Sequence, residues 1–300
     1  MSVLLRRILG ILLGVSFCIS AFTKLLSIDE FELYIYSFGF IGFDLSTFLA
    51  RIIVTFEFVL GVCLVCNWCH TLMKWTTLVA LLSFSSFLLW RIFVNDTTNC
   101  HCFGDIVDLN PKESMVKNFV FLILLVMSWK DVCVSNTPKK YIVILSLSII
   151  LSVFIYSPPN IFYVNESTTE TVNTKLLSDI VLENNLDKGK HVICFYSTGC
   201  KHCKRCASKI SGIINRLDSP VSYFHVFFMN TGEMEKKIKN FYEENSPGLE
   251  ISYDVIHPKV FLPIVSGAMP TIVFVDDGKF VREYDYFSIS EYVIKEFLMK

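Results

Sequence analysis

An α-helical membrane bundle followed by a separate α/β domain is the fold class this sequence predicts. Three observations carry the prediction. Apolar stretches of membrane-spanning length crowd the first half of a chain that is 53% hydrophobic, with a mean hydropathy of +0.51. Pro158-Pro159-Asn160 closes that half, because proline cannot continue a helix and turns the preceding residue toward extended backbone. Beyond it, strand-length apolar runs alternate with charged or amphipathic stretches of helical length.

The expected spans cover about residues 4–27, 46–68, 72–94, 115–133 and 141–157. The first four make a helical unit over 1–133, and the fifth span lies within 134–157. The first span follows Arg6 and Arg7; Phe17 before Cys18 is a poor cleavage position, so it reads as an uncleaved signal anchor. Lys24 and Arg91 read as interfacial anchors that reach the headgroups, and Arg51 and Glu57 as intramembrane charges that pair with another helix or line a quinone site. With the N-terminus inside, Arg6, Arg7, Lys74, Lys130, Lys139 and Lys140 all face the cytoplasm, while loop 28–45 carries acids and no Lys or Arg. An odd number of spans then places loop 95–114 and everything after Tyr156 outside the cytoplasm, in the periplasm of a cell with an inner membrane.

Residues 158–185 are expected to be a polar tether leading into a domain over 186–300. That domain is expected to begin with a strand near 191–197, a helix over 200–216, a strand over 221–229 and a charged helix over 232–244. Strands 271–276 and 279–285 flank Asp276-Asp277-Gly278, a hairpin signal, and a last helix covers about 288–299. A formal net charge of -1 gives no field that would favour nucleic acid. Eleven cysteines in a chain able to bury this much apolar surface point to redox chemistry or metal binding, not to a structural disulfide framework.

Cys200-Lys201-His202-Cys203 stands where the apolar run His191–Tyr196 gives way to a helical pattern, and Met269-Pro270-Thr271 opens a later strand. A C-x-x-C pair at such a junction, with an X-Pro before a following strand, is a thiol redox arrangement. These residues, with Phe195-Tyr196-Ser197-Thr198-Gly199, resemble the thioredoxin superfamily, among its membrane-anchored periplasmic thiol-disulfide oxidoreductases. The resemblance implies Cys200 as nucleophile, Cys203 as resolving thiol and Pro270 as a cis-proline beside them. A thiol at a helix N-terminus, with Lys201, His202, Lys204 and Arg205 around it, is expected to ionise more readily. The competing reading is a structural disulfide or a zinc site including Cys206, for which neither the strand-helix junction nor Pro270 is needed.

Asn99-Cys100-His101-Cys102-Phe103-Gly104-Asp105 follows the third span. It resembles the cysteine-x-cysteine-phenylalanine-glycine signature of the MauE/DoxX family of redox-associated membrane proteins, with His101 where glycine is usual. The resemblance implies a four-helix membrane unit and a redox role for Cys100 and Cys102, with His101 able to assist proton transfer. Cys66-Asn67-Trp68-Cys69-His70 matches a c-type haem string, but it falls at the cytoplasmic end of the second span. Spacing of three residues from Cys63 to Cys66 to Cys69 fits helix packing better than haem or metal, and no metal site is expected.

Together these readings describe a membrane-anchored thiol-disulfide oxidoreductase acting on exported thiol or disulfide proteins. Electrons would pass between the C-x-x-C site and the C-x-C pair, with no covalently bound cofactor and with a quinone or other membrane redox partner at the far end. One rival is a quinone-linked disulfide oxidase of the DsbB and vitamin K epoxide reductase type. Another is a non-enzymatic assembly factor for a disulfide-rich client, as in methylamine utilisation.

Overall fold

The computed structural model describes residues 2–67, 70–94, 100, 102–105, 109–129, 139–159, 171–246 and 248–299. Trp68, Cys69, His101 and Cys133 lie outside the described residues. The chain divides into two compact units, Met1–Ile35 with Leu45–Pro159, and Tyr36–Asp44 with Asn160–Lys300.

The first unit contains helices α1 (Val3–Leu26), α2 (Ile28–Tyr36), α3 (Phe43–Val65), α4 (His70–Phe93), α5 (Pro111–Met127) and α6 (Lys139–Tyr156), with a short strand β1 (Cys102–Asp105) between α4 and α5. Ser2 caps α1 by accepting the Leu5 N–H. One face of α1 places Leu13 and Phe17 against Leu64, Leu81 and Leu125. The other carries Leu4, Ile8, Leu12, Val15, Ile19 and Phe22, all exposed at helical spacing. In water such a stripe would be a large uncovered apolar patch, whereas in a bilayer it is the lipid-facing side.

Among the described residues three helices are long and apolar enough to cross a membrane: Val3–Leu26, Phe43–Val65 and Thr71–Phe93. The sequence predicts five spans, and α5 and α6 fall at the fourth and fifth, with residues 130–138 between them outside the described residues. α5 has 17 residues and carries Lys112, Glu113 and Lys117, and the described apolar part of α6, Val143–Tyr156, is shorter. α1 and α3 approach at two glycines. A Cβ added to Gly14 would lie 2.7 Å from the Gly61 oxygen, and one added to Gly61 would lie 2.6 Å from Cys18 Sγ. This is small-residue helix packing.

The intramembrane charges are paired across helices. Glu57 on α3 forms a salt bridge with Lys24 on α1 at 2.7 Å, and Arg51 pairs with Glu32 on α2. Lys24 and Arg91 are not the interfacial anchors expected of them. They are 5% and 1% exposed, because each has a partner in the interior: Glu57 for Lys24, and the Tyr34 hydroxyl for Arg91 at 2.7 Å. The segment expected as an outer loop contains α2, whose Phe31 and Leu33 are buried beside the acids that suggested a loop.

In the second unit a five-stranded sheet has the order β4-β3-β2-β5-β6, formed by Ser252–Ile256, Phe224–Met229, Lys190–Tyr196, Thr271–Asp276 and Lys279–Tyr284. β2, β3 and β4 run parallel, while β5 and β6 are antiparallel additions. Helices α7 (Thr174–Glu183), α8 (Lys201–Leu217), α9 (Met234–Asn245), α10 (Pro258–Ile264) and α11 (Glu291–Met299) connect and flank the strands. β2 and β5 are central and almost wholly buried, which is why their sequences are continuously apolar. α8 buries Cys203, Cys206, Ala207, Ile210, Ile213 and Ile214, the stripe of an amphipathic helix. Asp277 and Gly278 both take positive φ in the predicted hairpin turn. α7, β4 and α10 are additions to the elements expected from the sequence.

Candidate functional site

Cys200 is the N-cap of α8, immediately beyond the turn Ser197-Thr198-Gly199 that ends β2. Its Sγ accepts the Cys203 backbone N–H at 3.2 Å, one of the N–H groups a helix start leaves without an internal partner. Cys200 is partly exposed, and an added Cβ at neighbouring Gly199 would meet nothing within 4 Å, so the sulfur is open to approach. Cys203 is 0% exposed, and its thiol is pushed up by burial and then by its hydrogen bond to Cys200. The two cysteines are free thiols.

The Met269–Pro270 bond is cis. Antiparallel register pairs Phe195 with Thr271, so the cis bond sits beside the end of β2 from which the C-x-x-C turn emerges. Thr271 is buried and donates its hydroxyl to the Ala268 oxygen at 3.0 Å, and Met269 packs against the main core. Lys201 and His202 are exposed at the helix start. Of the other basic residues expected near Cys200, Lys204 is in a salt bridge with Glu244 at 2.8 Å, and Arg205 is buried. A cavity of about 360 Å³ lies on the same flank, lined by Ser197, Thr198, Gly199, Lys204, Lys237 and Phe241 among others. Cys206 is fully buried against the Tyr196 hydroxyl, and burial pushes its thiol up to about 12.

In the first unit Cys100 and Cys102 form a disulfide. Both are buried, packed with Leu88 and flanked by Phe84, Phe103, Leu109 and Met115. Ser114 Oγ lies 2.7 Å from Cys100 Sγ and 3.4 Å from Cys102 Sγ. The Cys102 carbonyl accepts from Ser20 Oγ at 2.8 Å, and Ser20 in turn accepts from Lys24 Nζ at 2.8 Å, within the Lys24–Glu57 pair. Lys117 Nζ sits among the rings of Phe84, Phe103 and Phe121, 5.0 to 5.7 Å from their centroids.

Sequence reasoning singled out the cysteines but missed Ser20, Ser114 and Lys117. Lysine within an apolar helix was the one available signal, for Lys117. His101 is outside the described residues, as are Trp68 and Cys69 of the haem-type string. Cys63 is buried within α3, whereas Cys66 lies just beyond the end of that helix and is partly buried. Among the described residues no three His, Cys, Asp or Glu side chains gather as metal ligands.

Comparison with known proteins adds a family and several relatives. Residues 2–130 match the family described as methylamine utilisation protein MauE. The chain is 23% identical over 303 residues to Protein TlpB of Flavobacterium psychrophilum, with 82% of this chain and 81% of that protein covered. Among solved structures it is similar to a thiol:disulfide interchange protein from Bacteroides sp., at 16% identity and a TM-score of 0.30, covering 39% of this chain and 78% of that one. It is also similar to the thioredoxin domain of a thiol-disulfide oxidoreductase from Bacteroides vulgatus, at 17% identity and a TM-score of 0.29, covering 38% and 83%. The N-terminal part of this chain therefore matches the MauE family model over residues 2–130, and a five-stranded α/β domain follows it.

Proposed function

We propose that the protein is a membrane-anchored thiol-disulfide oxidoreductase that exchanges disulfides with exported proteins. The observation that carries this reading is Cys200 at the start of α8, its sulfur accepting the Cys203 N–H and open to approach, while Cys203 is buried one turn behind it. In the reducing direction, Cys200 thiolate attacks a client disulfide. A Cys200–client bond forms, and the client's other sulfur leaves as thiolate. Cys203 then loses its proton and attacks Cys200 Sγ, releasing the client as a dithiol and leaving a Cys200–Cys203 disulfide. The same steps run backward when the pair is supplied oxidised.

Exchange with Cys100–Cys102 would move two electrons, turning one pair into a dithiol as the other closes. A tether of roughly twenty residues keeps their effective concentration high if both face one compartment. A membrane redox partner, with a quinone as one fitting chemical class, would stand at the far end. Pro270, Met269, Thr271, Lys201 and His202 would shape the exposed site, and His101 would serve the membrane pair.

Cys203→Ser tests the first part. In membranes of cells making that variant, reductant-sensitive mixed disulfides with exported proteins are expected on non-reducing gels, and none with Cys200→Ser. Absence of such species in both variants would overturn the reading. Removing Cys100 and Cys102 is expected to shift the in-cell redox state of Cys200 and Cys203, and the direction of the shift reads the direction of electron flow. An unchanged state would show the two pairs to be independent.

A further inference from the structure

The Cys100–Cys102 disulfide is enclosed by apolar side chains, and the cysteines themselves are 1% and 2% exposed. Opening a disulfide sends an electron pair onto one sulfur. In an apolar enclosure that thiolate is costly unless a hydrogen-bond donor already faces it. Ser114 supplies one. It is 0% exposed, and its oxygen lies against sulfur. Elsewhere in this chain helical serines such as Ser16, Ser86 and Ser148 donate to the carbonyl one turn back.

The position of Ser114 is fixed from both sides. Its N–H bonds to the Asn110 carbonyl, and Asn110 and Glu113 close a reciprocal cap on the first turn of α5. Cys102 is held through its carbonyl by Ser20, which belongs to the Lys24–Glu57 network. The distances are unequal, 2.7 Å to Cys100 and 3.4 Å to Cys102.

We propose that Ser114 stabilises the thiolate formed when this disulfide opens, which makes Cys100 the departing sulfur and Cys102 the sulfur a partner joins. The inference rests on the reading of this pair as redox-active. A partner dithiol attacks through one thiolate at Cys102 Sγ. The partner–Cys102 bond forms, the Cys100–Cys102 bond breaks, and the electron pair goes to Cys100. The Ser114 hydroxyl donates a hydrogen bond there and keeps its proton. The partner's second thiolate then closes the partner disulfide and releases Cys102. The partner loses two electrons, the chain gains them, and the two thiolates take up the protons the partner thiols gave.

The test uses the full chain in detergent with Cys200→Ala and Cys203→Ala, reduced by dithiothreitol and followed by mass-tagging of Cys100 and Cys102. Ser114→Thr and Ser114→Val fill the same volume and differ in the hydroxyl, so packing damage is common to both. The threonine variant is expected to be reduced at least about tenfold faster than the valine variant. In a second measurement, partial reduction of the chain with native Ser114 by glutathione is quenched in acid and mapped by peptide mass. The adduct is expected on Cys102. Equal rates for the two variants, or an adduct on Cys100, would overturn the assignment while leaving the pair redox-active. Failure of dithiothreitol to open the disulfide even in the chain with native Ser114 would overturn the redox reading itself, and this inference with it.

Discussion

Cys200, Cys203 and Cys206 follow one another at three-residue intervals along the start of α8, yet only the first is reachable. Cys203 and Cys206 are fully buried, and the Cys206 thiol is pushed up to about 12 by burial. At pH 8 only about one Cys206 thiol in ten thousand is ionised, from the distance between that pH and its pKa. Iodoacetamide is therefore expected to modify Cys200 in the folded, reduced protein and to leave Cys206 unlabelled until unfolding, as peptide mapping would read. The cysteine pairs were legible in the sequence because spacing alone marks them. Ser114 and Ser20 were not, since a serine in an apolar helix has no signature of its own. Each gains meaning from a sulfur or carbonyl supplied by another element. Lys24 was visible as a charge but was read as an anchor, because a single sequence does not show that Glu57 lies opposite it.

At the scale of elements, α1 and α3 depend on the absence of side chains at Gly14 and Gly61. Gly61→Val would drive two methyl groups into Cys18 and the α1 backbone. A loss of about 1–3 kcal/mol, typical of overpacking, is expected as a lower thermal midpoint in detergent. In the sheet, burial holds the His225 imidazole below its ordinary 6.5, against the opposing pull of Asp254 at 3.1 Å. The unfolded chain therefore takes up this proton at a higher pH than the folded one. The contribution to stability is whole above 6.5 and declines as pH falls below it. Amide exchange in β3 and β4, corrected for intrinsic rates, is expected to quicken between pH 7.5 and 5.5, and His225→Gln to flatten that dependence. β2, β5 and their hairpin partner β6 were readable because buried strands are continuously apolar and Asp277-Gly278 marks the turn. β4 escaped notice because it is a five-residue, exposed edge strand, Ser252–Ile256, although Tyr253 and Val255 alternate with Ser252 and Asp254. α10 was masked by Pro258 and Pro263, one at its first position and one inside it.

For the whole molecule, the division into a helical membrane region and an α/β domain was visible in composition and in Pro158-Pro159. The number of crossings was less so. Among the described residues three helices satisfy length and apolarity, and two shorter ones fall at the remaining expected positions. Under the proposed orientation, a membrane-impermeant maleimide added to intact spheroplasts is expected to label Cys200 after reduction. Labelling only after the membrane is permeabilised would place the C-terminal domain on the cytoplasmic side. Each unit also has a fastening of its own near the boundary at Pro159. Arg51 grips the end of α6 through the Ser157 and Pro158 oxygens, and Glu283 holds Thr171 and Val172 by their backbone N–H groups. The chain is thus made fast at two cleats, like a line between moorings. Strain arriving along the chain would meet a fastening inside each unit before it reached either core.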